Sequence, residues 1–205
     1  MAVEIRSAKA TATRDQILDA AASLIHLRGY HGTSLDDVLR ESGVGKGNFY
    51  YYFRSKEDLG FAIIDRVVDR FLERTLEPAF VDHTADPLDQ VRAFLDRLLE
   101  AQRQRNCVGG CPMGNLASEL SDVHEGFRQR LADIFERWRV MLAGTLERGR
   151  ESGRLRADLD AASAAGFVVA ALEGAILMAK VTKDISVMEK CVVELKQHLT
   201  LYARG

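Results

Sequence analysis

The chain has 205 residues, 47% of them hydrophobic, with only three prolines, which is enough apolar material for a sizeable core and excludes a disordered chain. Three cysteines, an odd number, with no basic-then-apolar leader argue against a disulfide-stapled secreted scaffold, and no apolar run is expected to reach the 18 or more residues of a membrane span. The expectation is therefore a cytoplasmic protein without a membrane partner.

The formal net charge of −2 is unevenly divided. Residues 1–56 hold eight Lys/Arg against six Asp/Glu, and residues 57–205 hold twenty against twenty-four. The mild positive excess lies at the N-terminal end, where a polyanion would be met. Alternation of strand type is sustained nowhere, so the fold class expected is all-α: a small N-terminal unit, 1–56, and a larger helical domain, 57–205.

Met1 to Ala12 lacks periodicity and reads as a flexible arm. Thr13 and Gln16 have the spacing of a capping box, and Ile17, Leu18, Ala21, Leu24 and Ile25 then share one helical face until Gly29. Ser34 can cap a short helix whose Leu35, Val38 and Leu39 face inward, and Ser42-Gly43 ends it. From Lys46 to Phe53, Phe49 and Phe53 fall on one side, while at about 100° per residue Gly47, Asn48 and Tyr51 fall on the other. That polar face suits duplex DNA: Asn can pair with an adenine edge, Lys can reach guanine or phosphate, and Tyr hydroxyls can donate to phosphate. A glycine admits close backbone approach.

The run TSLDDVLRESGVGKGNFYYYFRSKEDL resembles the DNA-binding motif of the TetR family of bacterial transcriptional regulators. Thr33, Gly43-Val44, Lys46-Gly47, Phe49-Tyr50, Tyr52-Phe53, Ser55-Lys56 and Leu59 match it. The likeness covers roughly residues 11–65, and Gly45 departs from it, standing where a hydroxyl residue is common. The resemblance implies a helix-turn-helix in which Thr33, Lys46, Asn48, Tyr50, Tyr51 and Lys56 contact double-stranded DNA, Lys46 and Asn48 nearest the bases. It also implies a homodimer through the last two helices and a small-molecule effector held in the larger domain.

Ser55 and Asp58 start a longer helix with Leu59, Ile63, Val67 and Phe71 at four-residue steps, expected to run to about Leu76 and to be closed by Pro78. Asp86-Pro87 fits the cap and first position of the next helix, Gly109-Gly110-Cys111-Pro112 interrupts it, and a short helix follows to about Leu120. A long stripe from Phe127 to Leu146 predicts a helix over about 124–149. Gly166 to Ala179 carries a single charge, Glu173, and is apolar nearly all round, as expected of a helix buried by its own domain and a second subunit. A last helix is expected over about 187–202.

The larger domain supplies the expected effector pocket: Cys111, Met113, Trp138, Phe167 and Glu173. Its aromatic and Met residues are read more readily as plain core, and Glu173 as a paired interface acid. Cys107 and Cys111 lack the further ligands of a zinc site, so no metal and no cofactor is expected. Cys111 stands before a helix start, which can lower a thiol pKa, and the resemblance implies a redox switch with Lys180 as its partner. No phosphate loop, nucleophile elbow or metalloprotease motif is present, which argues against an enzyme. The function expected is a ligand-released repressor on a palindromic operator; the alternative is a constitutive DNA-organising protein without an effector.

Overall fold

The computed structural model describes residues 2–204 apart from His83, with side chains described from Thr11 onward. Among these residues the regular elements are all helices, and Leu155 and Ala203 form an isolated antiparallel bridge. The first helix, α1 (Ala2–Arg28), begins well before Thr13, so the segment expected to be an arm continues the helix; no Gly or Pro interrupts it. Arg6 and Lys9, basic residues of that segment that could meet phosphates or the minor groove, have side chains outside the described residues. Ile17, Leu18, Ala21, Leu24 and Ile25 are buried, as their spacing requires. Gly29 ends the helix at φ +84°, a conformation that disfavours a side chain.

Helices α2 (Leu35–Ser42) and α3 (Lys46–Tyr52) follow. The Ser34 hydroxyl accepts from the Asp37 amide (3.1 Å) while the Asp37 carboxylate accepts from the Ser34 amide (3.0 Å), a reciprocal capping box. Gly43 closes α2 in the left-handed conformation at φ +65°. Gly45, the departure from the family motif, occupies the cap position of α3 and makes no side-chain cap bond.

Helix α4 (Lys56–Phe71) carries the buried Leu59, Ile63, Ile64 and Val68. Pro78 does not close it. A π turn, Leu72–Leu76, leads directly into α5 (Glu77–Phe80), so the wider turn accommodates the proline, which lacks an amide and crowds the preceding turn. Helix α6 (Pro87–Gln104) is capped by Asp86, whose carboxylate accepts from the Leu88 and Asp89 amides (2.9 and 3.2 Å). After the turn at 105–111 come α7 (Pro112–Leu120), α8 (Glu125–Glu151), α9 (Ala161–Thr182) and α10 (Ile185–Thr200).

Helix α9 packs between α8 and α10, and α6 backs α8 and α10. It is long and apolar enough by composition to cross a membrane, against the expectation that no run reaches that length. Leu172, Ala175, Ile176 and Ala179 fill the core. The opposite face, Phe167, Ala170, Gly174, Leu177, Met178 and Val181, is exposed, with Val181 at 74%.

Candidate DNA interface and effector cavities

Burial of Phe49 and Phe53, ring centroids 5.6 Å apart, fixes the rotation of α3. Lys46, Gly47, Asn48, Tyr50 and Tyr51 are consequently exposed together, Tyr51 at 77%. No atom lies within 4 Å of the position a Gly47 Cβ would take, so the backbone there is open to approach.

Two expected contact residues are placed otherwise. Thr33 is fully buried, its hydroxyl donating to the Gly29 carbonyl at 2.8 Å, so it secures the turn before α2 and offers nothing to a phosphate. Lys56 turns inward: its Nζ donates to the Tyr30 carbonyl (2.7 Å) and lies 4.4 Å from the centre of the Tyr30 ring. Burial lowers its pKa, with the Glu119 carboxylate acting in the opposite sense.

The same corner holds a residue that the sequence reading missed. Glu119 of α7 accepts from the backbone amides of Tyr30 (2.7 Å) and His31 (2.6 Å) and pairs with His31 Nδ1 (2.9 Å). Burial alone would raise the Glu119 pKa, but the two amides and the His31 ring hold it below its ordinary value. The turn that positions α2 and α3 is thus bound directly to the larger domain. Nearby, Arg66 of α4 joins Asp15 (2.7 Å) and Asp19 (2.8 Å) of α1, and Arg70 also pairs with Asp19 (2.6 Å).

The expected effector residues do not share one pocket. Cys111 and Glu173 line a cavity of about 320 Å³ with Gly114, Asn115, Phe135 and Lys180. Met113 lines a different one, of about 670 Å³, between α1, α4 and α7. Trp138 lines neither; it is fully buried among the rings of Phe71 and Phe94, at 5.5 and 5.9 Å. Phe167 is half exposed on the outer face of α9, against the His198 ring at 5.1 Å.

The expected pairing of Cys111 with Lys180 is also corrected. Lys180 donates to Asn115 Oδ1 (2.9 Å), and the acid that meets the thiol is Glu173. The Cys111 sulfur caps α7 by accepting from the Gly114 amide (3.4 Å), but burial and the Glu173 charge outweigh that bond and push the thiol pKa up. Burial likewise raises the Glu173 pKa, against the hydrogen bond from the Cys111 thiol. Glu173 Oε1 is buried with no hydrogen-bond partner among the described residues, so Glu173 is not held in a satisfied salt bridge.

A helix-turn-helix with an exposed polar recognition face, joined to a larger helical domain, is the architecture of a DNA-binding transcriptional regulator. Residues 17–63 match the family described as bacterial regulatory proteins, tetR family, and residues 87–194 match the tetracyclin repressor-like C-terminal domain. An uncharacterized HTH-type transcriptional regulator from the lacX 3' region of Lactococcus lactis is 36% identical over 178 residues, 86% of this chain and 88% of that protein. The HTH-type transcriptional repressor NemR of Escherichia coli is 28% identical, covering 90% of this chain and 92% of the repressor. A TetR transcriptional regulator from Chloroflexus aurantiacus superposes with a TM-score of 0.87 at 29% identity, over 96% of this chain and 98% of that one. The chain belongs to the TetR family.

Proposed function

We propose that the protein is a homodimeric repressor of a palindromic operator, released when a small molecule binds in the larger domain. The observation that carries the DNA half of this reading is the α3 face: Lys46, Gly47, Asn48, Tyr50 and Tyr51 are presented together by a helix that Phe49 and Phe53 lock from behind. Asn48 is the residue assigned to a base edge, Lys46 to a base or phosphate, and the tyrosines to phosphates. The exposed apolar face of α9 supports dimerisation, because a continuous row of this kind is otherwise left in water. Two such α3 helices, related by a two-fold axis, would address half-sites about one duplex turn apart.

Release follows from the route between cavity and recognition helix. Helix α7 lines both cavities and, through Glu119, grips the turn before α2. A ligand that displaces α7 therefore acts on the placement of α3, provided that it binds the displaced arrangement more tightly. Selection of bound duplexes from a random pool, followed by Asn48→Ala, tests the DNA assignment. A loss of about 1–3 kcal/mol confined to one base pair of each half-site is expected. Unchanged base preference in Asn48→Ala would remove that residue from readout. A thermal-shift screen separates this reading from a DNA-organising protein without an effector, which no small molecule should stabilise.

A further inference from the structure

We propose that the cavity between α1, α4 and α7 receives an organic monoanion, a carboxylic acid on an apolar body, and that Arg74 and Arg105 hold its carboxylate. This deepens the effector reading above and rests on it only for the step after binding. The cavity, about 670 Å³, is within the size range of small-molecule sites. Ile63, Val67 and Phe71 of α4 and Met113 and Leu116 of α7 give it apolar walls. A ligand seated there would bury hydrocarbon against both helices.

The charged part of the lining is unbalanced. Arg70, Arg74 and Arg105 face one acid, Asp19. That acid is already engaged by Arg66 and Arg70, at 2.8 and 2.6 Å. Arg74 has no acidic partner among the described residues, and Arg105 donates only its Nε, to the Ala101 carbonyl at 3.1 Å. Two guanidinium forks with unused N–H groups thus border one apolar cavity, an arrangement suited to a planar carboxylate. A cation would be repelled, and a neutral apolar molecule would leave both forks without an acceptor.

His26 adds an independent sign of an absent partner. It lines the same cavity, yet both of its ring nitrogens are buried without a hydrogen bond. An anion beside it would supply an acceptor for one of them. The position of the cavity gives binding a consequence: one wall, α1, carries the DNA-binding unit, and the opposite wall, α7, carries the Glu119 grip.

Octanoate and phenylbutyrate, with octanamide as the neutral comparator, would be titrated by calorimetry into the full chain without DNA. The expected result is saturable binding of at least one acid with Kd below about 1 mM, and negligible binding of octanamide. Arg74→Gln and Arg105→Gln should each weaken the acid about tenfold or more, with Arg105→Lys recovering part of the loss. Both arginines are exposed, so the fold should persist, as circular dichroism would verify. The proposal is overturned if neither acid binds saturably, if octanamide binds as well as octanoate, or if both glutamine variants bind like the parent. Operator release is then scored separately. Arginine-dependent binding without release keeps this inference and refutes the effector reading; release by compounds whose binding ignores both arginines does the reverse.

Discussion

Replacing Glu119 by Gln should loosen the DNA-binding unit from the larger domain. The carboxylate accepts two backbone amides at 2.7 and 2.6 Å, and its side chain is 25% exposed. A hydrogen bond to a charged group is worth about 1.5–3 kcal/mol, and the glutamine keeps one acceptor while turning an NH2 toward the other amide. With allowance for partial exposure and non-additivity, a loss of roughly 2 kcal/mol is expected, or a fall in Tm of about 4–8 °C for a chain of this size. The loss should depend on pH. Because the folded Glu119 pKa lies below its unfolded value, its stabilisation is complete above the unfolded value and disappears as pH falls through the folded one. Thermal denaturation of parent and variant across the acid range would measure this, and hydrogen exchange should show the Tyr30 and His31 amides losing protection. Equal Tm values at neutral pH, or a difference that persists undiminished in acid, would refute the reasoning.

Gly174→Arg should fold yet sediment as a monomer, since nothing lies within 4 Å of its missing Cβ while the residue sits in the exposed row of α9; a dimer of unchanged strength would contradict the proposed interface. Lys46→Ala should reduce the dependence of operator affinity on log[salt] by about one unit, whereas Lys56→Ala, whose ammonium is tied to Tyr30, should lower Tm more than it alters that slope. Cys111 should react with N-ethylmaleimide far more slowly than a free thiol at neutral pH, as mass spectrometry of the labelled peptide would show; rapid modification of the folded protein would reverse the account of its burial.

The elements of the DNA-binding unit were legible because their signals are local. Ser34 and Asp37 cap each other across three residues, and Phe49 and Phe53 define their own buried face. Thr33 and Lys56 were misread because a motif specifies residue type, while their partners, Gly29 and Tyr30, belong to the preceding turn. Glu119 could not be found at all, since its amides lie 88 and 89 residues away and a lone glutamate on a short helix carries no mark of them. Phe167 was assigned to the pocket for a related reason: a helix apolar around its circumference has no phase from which to read an inner face. Trp138 was correctly seen in a long apolar stripe, but a stripe does not distinguish solid core from cavity wall.

The π turn at Leu72–Leu76 bears on how this chain can tolerate a change in length. One additional residue in a helical turn rotates everything beyond it by about 100°, and what lies beyond this turn is core: Leu76, Ala79 and Phe80 are buried, as Leu59, Ile63, Ile64 and Val68 are before it. Deleting one residue within 72–76 would therefore make the helix more regular and the protein worse. Leu76, Ala79 and Phe80 would swing off the core, and Pro78 would fall inside an ordinary turn that cannot hold it. Insertions and deletions are usually absorbed by loops, but here the length of a helix is itself fixed, residue by residue, by what its far end must bury.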